Sequence, residues 1–126
     1  MDAQTDNLSR EFQEALKAAT EAAVALQRAQ QDFSSTPHYS VIENFAHEAG
    51  VKLSCLVQGQ QAALVAAEAG TTAACPGCGK TCHVTTKTRD VKSIDGDVKL
   101  AEAKAYCSRC ERSFFPSADR GKWDTQ

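Results

Sequence analysis

The chain has 126 residues, enough for one compact domain or two very small ones, and neither size buries a large core. Its 42% hydrophobic and 24% charged residues give the balance of a folded globular chain rather than a disordered tail, and no apolar stretch approaches the ~20 residues of a membrane span. The net charge of −2 hides an imbalance: residues 1–70 carry four Lys/Arg against nine Asp/Glu and residues 71–126 carry ten against seven, so a polyanion is drawn to the second half.

Met1-Asp2-Ala3-Gln4 holds no basic stretch leading into an apolar run, so nothing marks the chain for secretion and a cytoplasmic location is expected. In a reducing compartment the six cysteines read as metal or redox sites, with a disulfide framework a minor alternative.

The first element reads as helix. Leu8, Phe12, Ala15, Ala19, Ala22, Leu26, Ala29 and Phe33 recur at alternating steps of four and three, which is a heptad seam, and Asp6 is the expected N-cap. The helix stops at Ser34-Ser35-Thr36-Pro37-His38-Tyr39, where Pro37 restricts Thr36 and the hydroxyls compete for backbone hydrogen bonds. A second helix is expected from Ser40, with Glu43 completing a capping box, along Ile42, Phe45, Ala49, Leu53, Leu56, Ala63 and Ala67. Gln60 interrupts this seam, and Gly50 and Gly59 each cost about 1 kcal/mol relative to Ala, so a bend or break is expected before Gly70 ends the helix. Residues 1–70 thus read as an antiparallel helical hairpin. It either packs on the second half of its own chain or leaves an apolar edge for a partner.

From Ala74 onward Thr, Val, Lys, Gly and Cys alternate, a strand pattern that opens a second domain over residues 71–126. His83 to Ile94 and Val98 to Tyr106 read as two strands of a long hairpin around Asp95-Gly96, a dipeptide suited to a type I′ turn. With that centre, Arg89 faces Glu102 and Lys92 faces Lys99. The like-charged pair is unfavourable, so either the register is shifted or the two ammonium groups share a phosphate.

Cys75-Pro76-Gly77-Cys78 and Cys107-Ser108-Arg109-Cys110 are two CxxC pairs, together four thiolates. Zinc suits such a set because it is tetrahedral and redox-inert, and a filled four-cysteine site is structural rather than catalytic. The interval between the pairs is longer than the common pattern, but an antiparallel hairpin leaves and returns to one place and so brings Cys107 back to Cys78. Apparent binding energies of ~10 to 16 kcal/mol for structural zinc in finger peptides mean that so small a ribbon depends on its metal. The fold class expected is therefore α+β, a helical hairpin followed by a four-cysteine zinc ribbon. A redox role for Cys75 and Cys78 would need a thioredoxin-like βαβ pattern, which the chain does not supply. Cys82 and His83 read as a spectator thiol and an ordinary strand histidine, and Cys55 as a small apolar helix residue. Phe114-Phe115-Pro116 and Trp123 are read as packing against the hairpin in preference to base stacking. Lys80, Lys87, Arg89, Lys92, Lys99, Lys104, Arg109 and Arg112 are candidate phosphate contacts, with a solvated surface as the alternative for each.

Several of these motifs stand together. Cys75-Pro-x-Cys78-Gly79, Val91-x-x-Ile94-Asp95-Gly96-Asp97-Val98, Ala105-Tyr106-Cys107-x-x-Cys110 and Phe114-Phe115-Pro116 resemble the N-terminal region of ISKra-type insertion-sequence transposases, over about residues 41–116. In that family a helical segment and a zinc-ribbon-like segment precede a large nuclease domain of the RNase H type. The resemblance implies a DNA-binding, non-catalytic part of a transposase, with transposon ends as partner and a catalytic subunit or a second copy as a further one. After Phe-Phe-Pro the sequence departs from the family pattern and leaves no room for a catalytic domain of ~100 residues, so no enzyme activity is expected of this chain. Two rival readings stay open: a protein interaction module with a purely structural ribbon, and thiol chemistry at Cys75/Cys78 or Cys82.

Overall fold

A computed structural model describes residues 2–116 and 122–123. The described elements are two helices and an antiparallel sheet, an α+β arrangement. The chain divides into two compact units, Met1–Gly50 and Val51–Gln126.

Helix α1 spans Ala3–Gln30 and α2 spans Tyr39–Glu68. The cap of α1 is Asp2 and not Asp6: its carboxylate accepts from the Thr5 amide at 2.8 Å, a full turn earlier than the apolar spacing implied. That bond holds the Asp2 carboxyl below its ordinary pKa. The expected Ser40–Glu43 capping box is likewise replaced. Helix α2 begins at Tyr39, where the His38 carbonyl accepts from Val41 N–H at 3.0 Å and the His38 ring Nδ1 accepts from Ser40 N–H at 3.2 Å. Gly50 and Gly59 do not interrupt α2, which runs unbroken to Glu68, and Gly70 at φ +76° ends it as expected.

The heptad seam of α1 is not where the helix buries itself. Leu8, Phe12 and Leu26 are 56%, 52% and 51% exposed, while Leu16 and Ala23 are half-buried and Gln27 is buried. Gln27 Nε2 donates to the Val41 carbonyl at 3.0 Å and to Gln31 Oε1 at 2.9 Å, so one amide satisfies the buried position that apolar counting passes over.

The sheet contains β1 (Thr72–Ala74), β2 (Thr81–Ser93), β3 (Gly96–Cys107), β4 (Arg112–Phe115) and β5 (Lys122–Trp123), each antiparallel to the next. Of Trp123 only the backbone is described, so its expected packing role lies outside the described residues. The β2–β3 hairpin turns at Ile94-Asp95 and not at Asp95-Gly96, because Ser93 pairs with Gly96. Ser93 explains the choice. Its Oγ accepts from Asp95 N–H at 3.2 Å and donates to the Gly96 carbonyl at 2.8 Å, clasping the turn with a side chain, while Gly96 takes φ +117°. This shift dissolves the like-charge conflict: Lys92 faces Asp97, and Lys99 faces Asp90 in a 2.8 Å ion pair.

Alternation along the strands sorts their side chains onto two faces. Cys82, Val84, Ala103, Ala105, Cys107 and Phe114 lie on the covered face and form one buried cluster with Ala66 of α2. Toward the turn, burial passes to the opposite face, where Val98 is buried opposite a half-buried Val91; the twist of a long two-stranded ribbon accounts for the change. There α2 grips the turn. Ser54 Oγ donates to the Asp95 carboxylate, Cys55 Sγ to the Asp95 carbonyl at 3.6 Å and Gln58 Nε2 to Ser93 Oγ at 3.3 Å. Cys55 is thus a half-buried donor rather than a passive apolar residue.

Candidate metal centre

Two tight turns at the same end of the sheet carry the four cysteines. The first, between β1 and β2, closes through Cys75 N–H to the Lys80 carbonyl at 2.8 Å and Gly79 N–H to the Cys75 carbonyl at 2.9 Å. The second links β3 to β4. Each turn needs a left-handed residue just after its second cysteine: Gly79 at φ +79° in the first and Glu111 at φ 54° in the second. The two turns therefore repeat one backbone device, with glycine where it is comfortable and glutamate where it is strained. Lys80 Nζ donates to Ser108 Oγ at 2.7 Å and ties one turn to the other.

The Sγ atoms of Cys75, Cys78, Cys107 and Cys110 all lie within 4.8 Å of one another. Cys75 to Cys110 is 3.8 Å and Cys78 to Cys107 is 3.6 Å, far beyond a disulfide bond. A tetrahedral ion with metal–sulfur bonds of ~2.3 Å requires sulfur–sulfur edges of ~3.8 Å, so the four donors fit such an ion. They can hold a metal, and all four positions of a tetrahedron are filled. Cys75 and Cys107 are buried and Cys78 and Cys110 half-buried.

The protons on these sulfurs are unevenly held. The Cys110 amide, 3.4 Å from Cys107 Sγ, brings the Cys107 thiol down to about 6 against the opposing effect of burial. The neighbouring sulfurs of Cys78 and then Cys75 push Cys110 up to about 12. Burial raises Cys75, but the amides of Cys78 and Gly77 outweigh it and leave the thiol below its ordinary value. A bound cation replaces the protons that this cluster otherwise shares. Cys82 is buried but outside the four-sulfur set, and burial, followed by the sulfur of Cys107, raises its pKa.

The eight cationic residues singled out in the sequence do not form one patch. Lys80, Arg109 and Arg112 lie in or next to the cysteine turns, where their charge would offset the formal −2 of four thiolates with a divalent ion. Lys92 and Lys99 share the covered-face register with Asp97 and Asp90. Lys87, Arg89 and Lys104 lie on the opposite, open face, where Arg89 pairs with Glu102 at 3.0 Å and Lys104 Nζ stands 5.8 Å over the Phe115 ring. His83, Thr85, Tyr106 and Ser113 share that face and were not singled out for it. Alternation from Lys104 along β3 and from Lys87 along β2 reaches the first three, and the pairing of Tyr106 with Ser113 adds the fourth. Phe114 is fully buried on the covered face, as its packing role requires.

No helix among the described residues is long and apolar enough to cross a membrane. Comparison with family models, with curated proteins and with solved structures gives no match.

Proposed function

We propose that this chain is a non-catalytic, zinc-braced module of a transposase-like protein, in which the ribbon binds DNA and the helices contact other subunits. The observation that carries the reading is the closed four-thiolate cage. Zinc matches its edges and donor type, and a cage with no open coordination position leaves nothing for substrate, so the site braces rather than reacts. A reducing cytoplasm would keep its thiols available. The DNA part rests on the resemblance of the cysteine turns, the hairpin and Phe114-Phe115-Pro116, together with the excess of Lys and Arg over residues 71–126.

Titration of the zinc-loaded chain against duplex and single-stranded DNA at low salt tests the reading. Binding that weakens steadily with added salt is expected; no binding to either form overturns it.

A second reading, an oligomerisation module whose ribbon is only structural, is favoured by the exposed stripe Leu8, Phe12 and Leu26 and by charge. Four thiolates with a divalent ion lower the +3 of residues 71–126 to about +1. A concentration-independent monomer in sedimentation would exclude it.

A further inference from the structure

Among the described residues the sheet's two faces differ in how they arrange charge, and Arg112 shares the covered face with Cys107. The covered face is filled with Val84, Ala103, Ala105 and Phe114 at the cysteine end, and near the turn its two lysines are opposed by Asp90 and Asp97. Among the described residues the open face carries Lys87, Arg89 and Lys104 together with the acid Glu102. Glu102 is engaged by Arg89 at 3.0 Å.

This face also carries aromatic surface where a soluble sheet would ordinarily place polar residues. Tyr106 is 56% exposed on the central strand β3, directly opposite Ser113 on β4. Two residues along β3, Lys104 has Thr85 opposite it on β2, and its ammonium stands over the half-buried Phe115 ring. His83, Lys87, Lys104, Tyr106 and Ser113 line one open depression of ≈ 290 Å³. Aromatic faces beside cations on an open sheet suit an unpaired base stacked on a ring with its phosphate held alongside, whereas in a duplex the base faces are covered by their neighbours.

We infer that the open face of the sheet, centred on Tyr106 with Lys87 and Lys104 beside it, is a binding platform for single-stranded DNA. The inference rests on the DNA-binding reading above and narrows it to one face, one strand state and one stacking residue. Tyr106 supplies the ring under a base, Lys87 and Lys104 supply phosphate contacts, and the hydroxyls of Thr85 and Ser113 offer polar contacts between them. The metal centre holds β2 and β3 at the end where the platform lies, so the ion acts on binding through the sheet and not through contact.

The test is fluorescence anisotropy of a labelled oligothymidine with the zinc-loaded full chain, repeated with a duplex and with oligouridine. Tyr106→Ala should weaken oligothymidine binding about 5- to 150-fold, and Tyr106→Phe, which keeps the ring, should restore most of it. Lys87→Gln should weaken binding and flatten its salt slope by about 0.7. Lys99→Gln, on the other face, should leave binding unchanged. Zinc content and circular dichroism of each variant check that the fold is intact, which the exposure of Tyr106 favours. Salt-sensitive DNA binding unaffected by both Tyr106→Ala and Lys87→Gln overturns the platform while the DNA reading stands. Binding of duplex in preference to oligothymidine, or of oligouridine in preference to it, also overturns the platform. No binding to any DNA overturns both.

Discussion

Glu111 and Gly79 occupy equivalent places in the two cysteine turns, and only glycine takes the left-handed conformation without cost. Glu111→Gly should therefore raise the stability of the metal-loaded protein by about 0.5–1 kcal/mol, the relief of left-handed strain less the added freedom of the unfolded chain. Chemical denaturation of the two proteins checks it, and a loss of stability would mean that Glu111 is held by something other than the turn. The four cysteines differ from the two others just as sharply. Cys107→Ser should lower bound zinc well below one per chain, whereas Cys82→Ser and Cys55→Ser should leave it near one, as measured by metal analysis after gel filtration. Cys82 shares the buried cluster with Cys107 but stands outside the cage, so burial alone does not make a ligand.

Among the elements, α2 shows how little a helical glycine need disturb. A Cβ added at Gly50 meets nothing within 4 Å, and α2 is continuous there, so Gly50→Ala should stabilise the helix by up to about 1 kcal/mol. Thermal melting followed by circular dichroism reads the change. The N-terminus of α1 responds to acid instead. Because the Thr5 amide lowers the Asp2 pKa, its contribution is present above the ordinary carboxylate range and fades as pH falls through the lowered value, with loss of helical signal from the first turn. The hairpin is the element whose details the sequence obscured. Asp95-Gly96 is the strongest local turn signal in the stretch, yet Ser93 clasps the preceding pair and Ser54 of α2 holds Asp95 from outside. A contact from 41 residues away in sequence is invisible to local turn preference.

At the scale of the whole molecule, the metal is expected to hold the sheet end together. Among the described residues the buried cluster of the second unit is made of Ala and Cys with Val84 and one large side chain, Phe114. These small side chains gain little from burial, so a metal held by the four cysteines would carry a large share of stability. Chelation should collapse the β-sheet signal and protease resistance of residues 51–126, and readdition of zinc should restore both. Full retention of the sheet without metal would show that the apolar cluster suffices.

Much of this was fixed by the chain order of residue types alone. Two CxxC pairs separated by an alternating stretch point to four cysteines brought close enough to hold a metal, because a hairpin must return its ends to one place whatever its length. Helix existence and the stop at Gly70 likewise follow from local propensity and from glycine's access to positive φ. Register, the buried side of α1 and the sorting of cations onto two faces were decided only in three dimensions. Each turns on a distant partner: Ser54 for Asp95, Val41 for Gln27, and strand pairing for the lysines. A one-residue difference in the turn changes which charges meet across a hairpin, and no local pattern carries that information.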